Sequence, residues 1–148
     1  SYPSGLSGNN DRGISGGTYS PGTNVIQYIT ISTTGNAQDF GDLTTATGGG
    51  AALSSNTRLL YGGGDAPSYT NTIEYFTIAT TGDATDFGDL TVARASVYGG
   101  TSNKIRGVFV AGFKSPGTNI NSIDHVTIAT TGNAEDFGDI VFRTREVQ

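Results

Sequence analysis

The sequence predicts an all-β protein of propeller type, built from three four-stranded antiparallel sheets. Three observations carry this expectation. A 14-residue block occurs three times, at positions 29–42 (ITISTTGNAQDFGD), 76–89 (FTIATTGDATDFGD) and 126–139 (VTIATTGNAEDFGD). Its phenylalanines Phe40, Phe87 and Phe137 lie 47 and 50 residues apart, and a period near 50 marks a propeller blade or a comparable stacked β unit. The composition is that of strands and turns, with 23 Gly, 22 Thr, 13 Ser and 10 Asn among 148 residues. Finally, the run 25–31 (VIQYITI) is apolar on both faces. A half-exposed strand alternates strictly, whereas a blade between two like neighbours buries both faces.

Each period reads as four short strands, giving one repeat domain over residues 1–148 with blades at 1–47, 48–94 and 95–148. In the second blade, residues 49–54 form the first strand and Ser55-Asn56 the turn. Residues 58–61 form the second strand, ended by three glycines, and a Pro-containing loop spans 65–71. The third strand, 72–80, is rich in β-branched and aromatic types. A turn at 81–84 leads to a fourth strand at 87–92. The other blades follow the same plan. Their second strands are 12–15 and 106–110, and their loops 19–23 and 113–118. The first blade opens with a strand at 2–8 and the third closes with one at 137–142, so three whole blades are expected.

Charge and composition narrow the function. The net charge is −5, and the basic residues do not cluster. Such a chain repels phosphate backbones, so nucleic acid is not an expected partner. No run of roughly 18 apolar residues exists, so no helical membrane span is expected. With no Cys and one His, no thiolate nucleophile, Cys-ligated metal or His-rich zinc motif is present. No nucleophile elbow or phosphate loop occurs either. Neither an enzymatic centre nor a cofactor is therefore expected.

These residues resemble kelch-type propeller repeats. The resemblance rests on repeat length, on the strand plan and on three markers. Glycines close the second strand (Gly16-Gly17 and Gly62-Gly63), an aromatic sits in the third strand (Tyr28 and Tyr75), and Phe40, Phe87 and Phe137 precede the fourth. It covers essentially the whole chain. The third copy departs from it, with Ala111-Gly112 for the double Gly and His125 for the Tyr. Kelch repeats also usually carry Trp where this chain has Phe. The repeated TTGNA…DFGD wording is loosely similar to repeats in virion-associated and environmental proteins of marine phage type, and a virion or extracellular setting is implied by that resemblance alone.

Propellers close with typically four to eight blades. Three blades leave two apolar faces open, which signals a missing partner. The expected completion is a homodimer that closes a six-bladed ring by two-fold symmetry. Further repeats in a longer chain, or an open stack, are the alternatives.

Several residues carry candidate roles. The acidic pairs Asp39 with Asp42, Asp86 with Asp89 and Asp136 with Asp139 read either as calcium ligands or as turn residues bonding nearby backbone N–H groups. Their recurrence in every copy favours the turn, and no metal is expected. His125 takes the slot of Tyr28 and Tyr75 and is read as packing. Arg12, Arg58 and Arg106 align at the start of the second strands. They read as repeated salt bridges to a DFGD carboxylate, or else as an anion-clamping ring. Tyr19, Tyr69, Phe113 and Lys114 vary between copies on loops, and Arg94 and Arg143 lie in the links between blades. In propellers these two loop classes emerge on one face, and variation on a rigid scaffold is where specificity sits. The expected function is a non-enzymatic binding or structural module presenting these six residues to a glycan or protein partner. A propeller enzyme of glycoside hydrolase or lyase type, or a fragment of a longer repeat protein with no function alone, are the alternative readings.

Overall fold

The computed structural model describes residues 3–8, 11–19, 21–65, 67–95, 97, 99–116 and 118–141, with the side chains of these apart from 3–8 and 19. Among the described residues twelve strands form three sheets. The first contains β1 (Pro3–Gly8), β2 (Arg12–Tyr19), β3 (Gly22–Thr30) and β4 (Gln38–Asp42). The second contains β5 (Ala51–Ser54), β6 (Arg58–Gly62), β7 (Thr72–Thr77) and β8 (Thr85–Asp89), and the third β9 (Gly99–Ser102), β10 (Arg106–Lys114), β11 (Thr118–Thr127) and β12 (Glu135–Asp139). Each sheet is a four-stranded antiparallel meander in chain order. The register repeats as well: Arg12 faces Thr30, Arg58 faces Thr77 and Arg106 faces Thr127.

The strand limits differ from the sequence expectation where the backbone turns early. β7 stops at Thr77 because the Thr80 N–H turns back to the Thr77 carbonyl (3.4 Å). β8 begins two residues before Phe87, since Thr85 and Asp86 already pair with Tyr75 and Glu74. It ends at Asp89, with one more in-register bond beyond it, from the Leu90 N–H to the Asn71 carbonyl (2.7 Å). β12 shifts likewise. β2 and β10 run longer than expected, because the loops at 19–23 and 113–118 are the tips of continuing hairpins. Each passes a register shift beside a residue with positive φ, Gly17 (67°) or Ala111 (53°).

The core lies between the sheets. One layer joins Ile14, Ile26, Phe40 and Leu43 of the first sheet and its link to Leu59, Tyr61, Phe76 and Ile78 of the second. The other joins Leu60, Ile73, Phe87 and Leu90 to Phe109, Val126 and Ile128 of the third. The middle blade is therefore covered on both faces, as a blade between two like neighbours is; the run 25–31, whose two-sided pattern raised that expectation, lies in the first blade, where Val25, Ile29 and Ile31 stay exposed. The outer faces are open. Ile29 and Ile31 are 46% and 58% exposed, while their repeat partners Phe76 and Ile78 are at 3% and 0%. On the opposite end Phe137 is 54% exposed, against 2% for Phe40 and Phe87. Among the described residues no helix is long and apolar enough to cross a membrane.

Candidate functional site

The repeated block is a joint between blades. The TTGDA turn of the second blade lies along β4. Its Gly82 N–H donates to the Phe40 carbonyl (2.7 Å), and its Ala84 N–H donates to the Asp42 carbonyl (2.8 Å). The Asp42 N–H in turn donates to Asp83 Oδ1 (3.0 Å). The second joint has the same three bonds. Gly132 donates to Phe87 (2.8 Å), Ala134 donates to Asp89 (2.8 Å), and Asp89 donates to Asn133 Oδ1 (3.1 Å). Gly41 and Gly88 have φ of 145°. A Cβ on either would collide with the carbonyl of Gly82 or Gly132, so the close approach itself requires glycine.

This arrangement corrects two expectations. The Asp pairs are not primarily side-chain turn residues. Asp39, Asp86 and Asp136 lie exposed within strands, and Asp42 and Asp89 serve the joint through their backbones. Only Asp136 holds a nearby N–H, that of Gly138, at 3.3 Å. Nor does an ion pair among the described residues join these arginines to a DFGD carboxylate. Arg12 donates to the Ile78 carbonyl (2.7 Å) across the first joint. Arg58 donates to the carbonyls of Ile128 (3.1 Å) and Ala129 (3.0 Å) across the second. Each guanidinium lies over the third-strand aromatic of its own blade, 4.7 Å from Tyr28 for Arg12 and 4.3 Å from Tyr75 for Arg58. A backbone carbonyl at the end of a strand satisfies a guanidinium without any acidic residue, so sequence alone points to the wrong partner. Tyr28, Tyr75 and His125 stand edge-to-face on Phe40, Phe87 and Phe137 at 5.8, 6.1 and 5.9 Å. His125 thus packs as its repeat position predicts.

Beside each joint a third-strand carboxylate holds the link to the next blade. Asp124 accepts from the Thr91 N–H and Thr91 hydroxyl, both at 2.8 Å. Its Oδ2 also meets Arg94 Nη2 at 2.9 Å, with both side chains fully buried. Arg94 Nη1 donates to Ser122 Oγ (3.0 Å). Burial pulls the Arg94 pKa down, and the Asp124 charge and hydrogen bond oppose that. Arg94 is therefore a structural cation and not a surface ligand contact, which corrects the sequence reading.

At the first joint the corresponding carboxylate is Glu74, 4% exposed, whose Oε1 accepts from the Thr44 N–H (2.9 Å). Thr47 stands where Arg94 does in the next blade, and it leaves a cavity of about 230 Å³ lined by Thr44, Thr47, Tyr69, Thr72 and Glu74, among others. A shallower groove joins Asp65, Pro67, Ser68 and Tyr69 to Ser115 and Pro116 of the neighbouring hairpin. The structure thus brings Tyr69 into both hollows. Phe113 is half-buried, its backbone paired with Ala95 at 2.9 Å in both directions. Lys114 is exposed at the end of β10. The Tyr19 side chain and Arg143 lie outside the described residues. Glu74, Thr47 and Thr72 went unrecognised in the sequence. Sliding the repeats against one another was the signal that could have found them, since Gln27, Glu74 and Asp124 share one slot and Thr47 and Arg94 another.

The fold resembles the solved structure of YjhT, with a TM-score of 0.73, 14% identity, and coverage of 90% of this chain and 44% of that one. That likeness shows a β-propeller-like fold. The chain spans less than half the length of YjhT. No protein-family model and no curated protein matches the sequence.

Proposed function

We propose that the chain is a non-enzymatic kelch-like propeller module that closes a six-bladed ring with a second copy and presents its loop face to a glycan or protein. The observation that carries this reading is the joint, made twice within the chain and left half-made at each end. One end offers the strand: Gly138 has open space where Gly41 and Gly88 meet the next blade, and Phe137 is uncovered. The other end offers the turn: Ile29 and Ile31 are uncovered, whereas their counterparts Phe76 and Ile78 are buried in the first joint. The third blade of one copy therefore fits the first blade of another, and two such joints close a two-fold ring. Arg106 would donate across this joint as Arg12 and Arg58 do. These three blades account for 44% of the YjhT chain, which agrees with a fold of about twice this size. A binding role is supported by the cavity beside Tyr69. Its lining contains one carboxylate, Glu74, whereas glycoside cleavage uses two.

A mixing experiment tests the ring. Ile31→Asp damages the turn side and Phe137→Asp the strand side, both at exposed positions. Each variant alone is expected to run as a single chain, and the mixture to form a two-chain species through its one intact joint. Variants that stay dimeric alone would exclude this head-to-tail geometry.

A further inference from the structure

We infer that the cavity between the first two blades binds a guanidinium or similar alkyl cation. This rests on the binding-module reading and names the chemistry of the group held. The two joints of the chain carry the same kinds of acceptor and differ in the cation. In the second joint Arg94 occupies the space between two acceptors: its Nη2 forms an ion pair with Asp124 Oδ2 at 2.9 Å and its Nη1 donates to Ser122 Oγ at 3.0 Å, while Nε has no hydrogen-bond partner among the described residues. The first joint keeps the acceptors and lacks the cation. Glu74 stands for Asp124, and Thr72 for Ser122. The register confirms it, since Thr72 and Ser122 face Asp89 and Asp139, while Glu74 and Asp124 face Asp86 and Asp136. Thr47 replaces Arg94.

The neighbourhood agrees. Glu74 is 4% and Thr47 5% exposed. Among the described residues the Thr47 hydroxyl is buried with no hydrogen-bond partner, and the Glu74 carboxylate accepts from the Thr44 N–H and pairs with no cation. Buried carboxylates are stabilised by pairing, and leaving one unpaired is costly. About 230 Å³ is open beside it. That is below the roughly 300–1,000 Å³ of pockets for drug-sized ligands, and it suits one side-chain head or small amine. Tyr69 in the lining is an aromatic of the kind that attracts cations. The cation could belong to a free small molecule or to an arginine on a partner.

The test is calorimetric titration with agmatine and, in a second arm, with a Gly-Gly-Arg-Gly-Gly peptide. Agmatine is expected to bind the unaltered chain. Tighter binding of the peptide than of agmatine assigns the site to a protein partner, and the reverse order assigns it to a free small cation. Glu74→Gln should weaken binding at least tenfold, whereas Asp39→Asn, an exposed carboxylate removed elsewhere, should leave it unchanged. Thr47→Arg supplies the cation from within and should abolish binding while raising the melting temperature. Equal binding to the Glu74→Gln variant overturns the inference, as does absence of binding up to about 10 mM agmatine, the range of fragment affinities. The solution mass of the same samples reads the ring separately, so failure here is distinct from failure of the assembly.

Discussion

Arg58 and Arg106 occupy one repeat position in different circumstances. Arg58 lies over Tyr75 and serves two carbonyls of the next blade, while Arg106 is exposed at the open end. Removing Arg58 takes hydrogen bonds from two carbonyls along with a cation–π contact. Arg58→Ala should therefore cost about 2 kcal/mol. Arg106→Ala should stay within about 0.5 kcal/mol in a single chain, as exposed substitutions do. Urea denaturation in the Ile31→Asp background, which keeps the chain single, measures both. Arg94 and Asp124 are the other decisive pair. Asp124→Ala strands a buried guanidinium, and loss of one partner of such a pair costs about 3–5 kcal/mol. A melting temperature unchanged by that substitution would contradict the structural role of Arg94.

At the scale of the strands, the fourth strand of each blade is defined by what crosses it. Gly88 and Gly138 have similar positive φ, 145° and 138°. Alanine at either is strained by about 1–3 kcal/mol. At Gly88 its Cβ would also strike the Gly132 carbonyl, while at Gly138 it meets nothing within 4 Å. In the single-chain background Gly88→Ala should be the more destabilising by at least about 1.5 kcal/mol, because the bonds of the joint are strained as well. Equal losses would mean that the joint contributes little. The strand plan was legible because the phenylalanines and the two-sided apolar runs announce buried sheets. The joint was not legible. Its bonds run between backbone groups, and only Gly41, Gly88 and the Asp83 or Asn133 side chain leave a trace in the sequence. The DFGD aspartates, read as side-chain turn residues, serve mainly through the backbones of Asp42 and Asp89, while the informative carboxylate, Glu74, hid in a strand where Gln27 and Asp124 replace it. The loop residues were partly legible: Tyr69 reaches the hollows, whereas Arg94, read as a loop cation, is core.

At the scale of the molecule, the open ends decide the outcome. Ile29 and Ile31 at one end and Phe137 at the other correspond to residues that are almost fully buried in the interior joints. Covering them would bring an apolar gain of about 1.5–3 kcal/mol for each side chain buried in full, before the cost of association. The two ends also match in kind, since one supplies the turn and the other the strand. Two copies satisfy both ends at once. The most direct test is the mass of the unaltered chain by light scattering across a dilution series. A stable value of twice 15.2 kDa is the predicted result. A value of 15.2 kDa at every concentration would contradict ring closure by a second copy.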